Sequence, residues 1–353
     1  MQKTVVVGLS GGVDSSVAAH LLKQQGYRVV GLHMRSENPE TRDADENRVK
    51  TLCCELGIEC VVVDYKDHMK IVKDYFVNEY LAGRTPNPCV VCNKEVKFKP
   101  FLEYMEKLGA DYFATGHYAI VEHEENKHLL KQAVDKDKDQ TYFLCQLSNE
   151  QIAKVLFPLG NLTKAEVRKI AEENNLITKE TKESYDVCFL GSQKFKDFMN
   201  EKYPEKEGNI VDIKTNKIIG KHTGISKHTI GQRRGLNIGG VNGCEANRWF
   251  VVKKDIKTNT IYVSCGESEE MFSLGCVVTN FNWITSKTNE FECGVKLRYR
   301  QTSQATKVTV IDNQTIRLDF KEKQRAVTIG QFAVLYDENG VCLGGGTINE
   351  LIS

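Results

Sequence analysis

The chain has 353 residues, 41% hydrophobic and 27% charged, with a formal net charge of +1. That length predicts two or three domains of a globular protein, and the charge excludes a partner bound through global basicity, leaving nucleic acid only a local basic face. No apolar run approaches the roughly 20 residues that span a bilayer, and the N-terminus lacks a signal-peptide pattern, so a cytoplasmic location and no membrane partner are expected.

In chain order, Thr4-Val5-Val6-Val7-Gly8-Leu9 predicts a strand buried on both faces, followed by a glycine-rich turn. A helix is expected over residues 14–25, with Val17, Leu21 and Leu22 as its stripe and Gly26 as its stop. A strand over 28–34 and a helix over 47–56 follow, the helix carrying Val49, Leu52, Cys53 and Leu56 at helical spacing. Strand 59–63, helix 96–108 and strand 111–115 continue the alternation, which implies a parallel sheet covered on both faces. Residues 141–205 read as mainly helical, with Thr163-Lys164-Ala165-Glu166 in the form of a capping box opening a helix to about 174.

From about Gly208 the texture changes to short alternating runs broken by turn signals such as Lys214-Thr215-Asn216 and Lys257-Thr258-Asn259. Beyond about Cys276 the strands continue, which predicts a small β-barrel. The expected fold class is α/β: a doubly wound parallel-sheet domain over 1–205, a small β-rich domain over 206–275 and a C-terminal β-barrel over 276–353.

Ser10-Gly11-Gly12-Val13-Asp14-Ser15-Ser16 stands at the first strand–helix junction. Glycines let the backbone approach a ligand closely, and a helix N-terminus offers unpaired N–H groups and partial positive charge to an anion. Asp14 is awkward beside a phosphate unless it holds Mg²⁺ or caps the helix. The bland alternative is a tight turn with a helix cap. The string fits neither GxxxxGK[ST] nor GxGxxG, which disfavours Walker and Rossmann readings.

Asn87-Pro88-Cys89-Val90-Val91-Cys92 contains a C-x-x-C pair, a spacing shared by zinc, iron–sulfur and thiol–disulfide chemistry. The chain's twelve cysteines are scattered, as expected of reduced cytosolic thiols, and a given cysteine is most often a small buried apolar residue. That bland reading is given to Cys53, Cys54, Cys60, Cys145 and the five cysteines beyond residue 240. The basic run Lys221, His222, Lys227, His228, Arg233 and Arg234 has Gly, Ser and Thr neighbours that suit RNA phosphates, against the alternative of a solvated face.

The loop SGGVDS resembles the pyrophosphate loop of the N-type ATP pyrophosphatases, which adenylate an oxygen and release pyrophosphate. Gly31-Leu32-His33-Met34, TPNPCVVCNKEVKF over 85–98, ATGHYA over 114–119, KDQTYFL over 138–144, SYDVCFL over 184–190 and GISKHTIGQRRGL over 224–236 narrow the likeness. In that order they resemble the tRNA-specific 2-thiouridylases, the tRNA-uridine 2-sulfurtransferases, from about residue 4 into the barrel.

The resemblance implies an ATP-pyrophosphatase domain that adenylates O2 of the wobble uridine in tRNAs for Lys, Glu and Gln. Sulfur carried as a cysteine persulfide then displaces AMP. It gives Cys92 the nucleophile role, Cys188 the persulfide-carrying role and Asp14 a catalytic place. Gly8, Leu9, Ser10, Gly11, Gly12, Val13, Asp14 and Ser15 would bind ATP with Mg²⁺, with Met34 and Gly116 near the nucleoside. His117, Lys138, Asp139, Gln140, Tyr299, Arg300 and Gln331 would meet tRNA, and Asn87, Pro88 and Cys89 would lie beside the target base. The sulfur would come from a cysteine desulfurase or a sulfur-carrier protein.

One position departs from the family pattern, which is N-P-D-x-x-C: Cys89 stands where that pattern has aspartate. Three readings follow. Cys89 is a spare or resolving thiol in the relay, or joins Cys92 and Cys188 in holding a [4Fe–4S] cluster, or joins them in a zinc site.

Overall fold

The computed structural model describes residues 2–35, 41–124, 127–181, 188–190, 195–204, 206–238, 248–285 and 289–353, with the side chains of 124, 188, 196 and 202 outside the description. The first strands are β1 (Thr4–Gly8), β2 (Arg28–Arg35), β3 (Glu59–Asp64), β4 (Tyr112–Ala114), the hairpin β5 (Ala119–Glu124) and β6 (Lys127–Gln132), and β7 (Val155–Leu156). A five-stranded parallel sheet runs β3-β2-β1-β4-β7. The alternation in β1 is the reason the sheet needs cover on both sides. Val5 and Val7 enter one apolar core and Val6 the other.

Helices α1 (Val13–Gln24), α2 (Arg42–Leu56) and α8 (Lys164–Glu173) supply the first core through Val17, Leu52 and Val167. The opposite core takes Phe101 and Met105 from α5 (Lys99–Lys107) and Ile152 from α7 (Asn149–Lys154). The doubly wound expectation therefore holds. Helix α1 ends as predicted, with Gly26 at φ +87°. The Thr163–Glu166 capping box is present in both directions.

Three local expectations are corrected. Helix α2 begins at Arg42, five residues earlier than expected from its apolar stripe, because Asp43 and Asp45 favour the first turn electrostatically. A helix the periodicity did not announce, α3 (Lys66–Leu81), buries only Val72, Phe76 and Val77. The region after 141 holds the short helices α6 (Thr141–Leu144), α7, α8 and α9 (Phe195–Lys202), interrupted where Pro158 and Gly160 occur.

The central sheet joins β8 (Gly208–Asp212), β9 (Ile218–His222), β10 (Trp249–Asp255) and β11 (Thr260–Cys265) in the order β10-β11-β8-β9. Its turn signals work as read: Asn216 and Asn259 adopt φ of 55° and 49°. The last six strands are β12 (Phe272–Trp283), β13 (Glu290–Lys296), β14 (Gln304–Asp312), β15 (Thr315–Arg325), β16 (Phe332–Tyr336) and β17 (Cys342–Ile352). They form the closed barrel β12-β15-β14-β13-β16-β17.

This barrel shares a core with the parallel-sheet domain, since Phe332, Val334 and Tyr336 pack in the cluster of Tyr142 and Leu144. Polar ties reinforce the junction. The Tyr142 hydroxyl donates to the Phe332 carbonyl at 2.9 Å, and Asn282 Nδ2 donates to the carbonyls of Cys145 and Leu147 at 3.0 and 2.8 Å.

Candidate active site

The SGGVDS loop leaves the C-terminal end of β1 and enters α1. Leu9 extends the sheet, its N–H donating to the Leu32 carbonyl at 2.8 Å, while its own carbonyl accepts from His33 Nδ1 at 2.8 Å. Because a carbonyl only accepts, Nδ1 carries the proton of this buried imidazole. Gly11 needs its freedom: it sits at φ +80°. Ser15 Oγ donates to the Gly12 carbonyl at 3.1 Å and receives the Ser10 N–H at 3.2 Å, so the loop is closed on itself by hydroxyls.

Gly116, after β4, closes the loop from the other side. A Cβ there would stand 2.7 Å from Asp14 C and Ser15 N, both backbone atoms. Gly8 is equally confined, with a Cβ falling 2.5 Å from the Phe101 ring.

Asp14 does not cap α1; Gly12 holds the cap position without a side-chain bond. Its carboxylate instead pairs with Lys164 Nζ at 2.6 Å and accepts from the Tyr118 hydroxyl at 2.9 Å, both at Oδ1. Lys164 opens α8, and nothing in its local sequence separates it from a solvated lysine. Sequence reasoning missed this residue, and missed Tyr118 with it.

The thiol segment lies at the other end of the site. Asn87 caps α4 (Pro88–Val91), its Oδ1 accepting the Val90 N–H at 3.4 Å, with Pro88 at the first helical position. A π-helix over Cys92–Phe98 follows directly and runs into α5, which replaces the helix expected from 96. Single π turns inside helices mark functional sites in many proteins. Cys89 is exposed and Cys92 buried.

Cys92 packs with Val72 and Val96, and against this cluster lie Met34 from the end of β2 and Phe189. Phe189 follows Cys188, and its ring meets Phe76 of α3 at 5.2 Å, edge to face. The structure thus packs the side chain of Phe189, the residue after Cys188, against the cluster that holds Cys92, although the Cys188 side chain itself lies outside the described residues. Among the described residues no group of three His, Cys, Asp or Glu is placed to hold a metal ion.

The residues expected to meet tRNA divide into two sets. Arg300 is exposed, and Tyr299 is half-buried on Phe143 with ring centroids 4.4 Å apart; burial raises the pKa of its phenol. Lys138 is half-buried in the turn that begins at Asp135.

Asp139 is buried, whereas His117, Gln140 and Gln331 are half-buried, and all four also bond within the protein. His117 Nδ1 pairs with Thr115 Oγ1 at 2.8 Å beside Phe98 and Phe157, and burial, then Lys97, hold its pKa well below the usual value. Asp139, 3% exposed, accepts from the Ala133 N–H at 3.1 Å, Thr141 Oγ1 at 3.0 Å and Gln132 Nε2 at 3.2 Å, and pairs with Lys296 of the barrel at 3.5 Å. Its carboxylate faces protein on every side. Gln140 Oε1 accepts the Tyr118 N–H at 2.9 Å, which braces the Gly116 turn. Gln331 Nε2 donates to the carbonyls of Thr85 and Pro86 at 3.0 and 3.1 Å.

The basic run of the central domain is also reduced. His222, Lys227 and His228 are buried, and Lys227 Nζ donates to the Thr223 carbonyl at 2.6 Å; Lys221, Arg233 and Arg234 remain exposed. The bland reading suits several cysteines. Burial pushes the thiols of Cys53, Cys276 and Cys342 up to about 12, with Cys60 adding to the effect on Cys53. Cys54 departs from it by being exposed, and Cys265 by being disulfide-bonded.

A parallel sheet with a glycine loop between its first strand and helix, followed by two β domains, defines a nucleotide-binding α/β enzyme with appended β modules. Residues 3–192 match the tRNA methyl transferase HUP domain, 196–265 the tRNA methyl transferase PRC-barrel domain and 273–348 the aminomethyltransferase beta-barrel domain.

The tRNA-specific 2-thiouridylase MnmA of Alkaliphilus oremlandii is 46% identical over 99% of this chain and 97% of its own length. That of Proteus mirabilis is 46% identical over 99% and 98%. The chain belongs to the tRNA-specific 2-thiouridylase family. Among solved structures, the U34-tRNA thiolase NcsA from Methanococcus maripaludis with its [4Fe-4S] cluster is 22% identical, covering 53% of this chain and 62% of that one at a TM-score of 0.39; at that distance it bears on no residue here.

Proposed function

We infer that the chain is an ATP-dependent tRNA 2-thiouridylase, and we propose that it thiolates the wobble uridine of tRNAs for Lys, Glu and Gln. The observation that carries the proposal is the apolar cluster holding Cys92, Met34 and Phe189, because it gathers the thiol segment, the end of β2 and the segment after Cys188.

The loop from Gly8 to Ser15, at the sheet's carboxyl edge, suits the phosphates of ATP with their Mg²⁺; Gly116 abuts it, and Met34 ends the neighbouring strand on the same edge. O2 of the uridine attacks the α-phosphorus and pyrophosphate leaves. A uridine carbonyl is a poor electrophile, and its adenylate has AMP as leaving group. The outer sulfur of a Cys188 persulfide attacks C2 and AMP leaves. The Cys92 thiolate then attacks the Cys188 sulfur, releasing the thiocarbonyl and leaving a Cys92–Cys188 disulfide for an external thiol to reduce. A cysteine desulfurase or a sulfur-carrier protein reloads Cys188, in the cytoplasm.

Asp14, held by Lys164 and Tyr118, keeps its negative charge balanced next to the phosphates. We assign tRNA contact to Arg300, Tyr299 and Lys138, supported by the exposure of Arg300 and the part exposure of the other two, and the neighbourhood of the target base to Asn87, Pro88 and Cys89. Asp139 and Gln331 act behind them by holding the chain beside Lys138 and the chain just before Asn87, and Gln140 braces the Gly116 turn.

A second reading is favoured by Cys89, an exposed thiol one helical turn from Cys92 where the family pattern has aspartate. Two thiols in one turn fit a shared ligand, and with Cys188 they would hold a [4Fe–4S] cluster. That cluster would supply an open iron to which sulfide binds.

Thiolation of unmodified tRNA with ATP and a persulfide donor tests the function; tRNA binding without 2-thiouridine refutes it. The Cys89→Asp variant decides between the readings. Full activity, with no iron after anaerobic purification, supports the relay; lost activity with lost iron supports the cluster.

A further inference from the structure

We propose that Gln331 is a positioning residue for the thiol segment: with the backbone of Ile329 and Gly330 it clamps Thr85 and Pro86, and so fixes where Cys92 stands. The proposal rests on Cys92 being a reacting thiol.

The segment needs an outside hold. Pro86 and Pro88 have no N–H, and the carbonyls of Thr85 and Pro86 precede the helix cap, so no helical ladder claims them. Gln331 meets this need with both hydrogens of one amide, at 3.0 Å to Thr85 O and 3.1 Å to Pro86 O. The Thr85 N–H donates to the Ile329 carbonyl at 2.9 Å, which completes the pairing.

The approach is close enough to demand glycine. Gly330 lies at φ +91°, and a Cβ on it would sit 2.9 Å from Arg84 Cβ and from Thr85 N. The clamp is rooted in the barrel through Ile348 of β17, because the Gly330 N–H donates to Ile348 O at 2.9 Å and the Ile348 N–H to Gln331 O at 2.8 Å. From the clamp it is one residue to the cap Asn87, then one helical turn to Cys92. A shift at Pro86 has little slack in which to die out.

Both amide hydrogens of Gln331 are committed to the clamp, so the tRNA contact expected of it would fall to Oε1. The two roles separate kinetically. A tRNA contact acts on KM; a clamp acts on sulfur transfer after binding.

The test uses full-length Gln331→Glu, which keeps the shape and turns the donor into an acceptor facing two carbonyls. Expected is a fall of about tenfold or more in kcat for 2-thiouridine formation, with KM for tRNA and tRNA-dependent pyrophosphate release within about twofold of wild type. Gly330→Ala, which pushes on the same segment without touching the amide, should fail in the same way. If the glutamate variant does not fold, Gln331→Met removes the donors without adding charge and is read identically.

A raised KM for tRNA at unchanged kcat overturns the clamp in favour of a tRNA contact, and unchanged kinetics in both variants overturns it outright. Full thiolation by Cys92→Ser would instead remove the reading on which the proposal rests, whatever the clamp variants do.

Discussion

The two ends of the site are built in opposite ways. The phosphate loop is closed by residues a few positions away, since Ser10, Gly12 and Ser15 bond one another and the strand beside them is the next in sequence, with Gly116, Tyr118 and Lys164 bracing it from outside. The thiol segment is held by residues up to 246 positions distant, through Gln331, and by Phe189 and α3. A local device folds wherever its few residues occur. An assembled one exists only once three parts of the chain have docked, so chemistry placed on it is coupled to the whole fold.

This contrast can be broken most decisively at Cys92. Cys92→Ser should lower thiolation on the order of 10³-fold or more, measured as 2-thiouridine by mass spectrometry, while tRNA-dependent pyrophosphate release persists. Loss of both together would mean that the two ends do not act separately.

Gly116→Ala attacks the other end. Its Cβ meets backbone on α1 at 2.7 Å, so the loop must move. We expect kcat/KM for ATP to fall about 10²-fold, with binding of tRNA unchanged in a filter assay.

A smaller effect is expected from Lys164→Ala, which leaves the Asp14 charge uncompensated where phosphates arrive. Asp14 is one-third exposed, so solvent screens it. A rise of about fivefold in KM for ATP, shrinking as salt is added, is expected from titrations at several ionic strengths.

The mildest test sharpens the role of His117. Its folded pKa is depressed, so below about 6.5 the unfolded chain takes up a proton that the folded one refuses. Stability present at pH 7 should therefore decline as pH falls through that range, by at most about 1.4 kcal/mol per pH unit. His117→Gln should flatten this part of the profile in melting experiments; an unchanged slope would refute the assignment.

How much was legible follows the same division. β1, α1 and the Gly26 stop, the capping box of α8 and the asparagine turns of the central sheet could be read because each depends on a few adjacent residues. The start of α2, the whole of α3 and the π-helix could not. The last two draw stability from partners elsewhere: Met34 and Phe189 pack against the cluster of Val72 and Cys92, and Phe76 meets the Phe189 ring; the acidic first turn of α2 is a local signal that its apolar stripe does not carry.

Among site residues, the loop glycines announced themselves by type and spacing. Lys164 did not, since a lysine opening a helix looks the same whether it faces water or Asp14. His117, Asp139, Gln140 and Gln331 were singled out by motif, but their bonds within the protein could not be read from it, because those partners are fixed only by the fold.

The sequence by itself determined the family, the alternation that makes a parallel sheet, the glycine loop at its edge and the unusual Cys89. Tertiary structure alone decided that Asp14 answers to Lys164, that Asp139 is sealed against Lys296, and that Gln331 of the barrel grips Thr85 and Pro86. The physical reason is that composition and spacing set local backbone preferences, whereas hydrogen bonds and ion pairs between distant residues exist only after burial has fixed both partners.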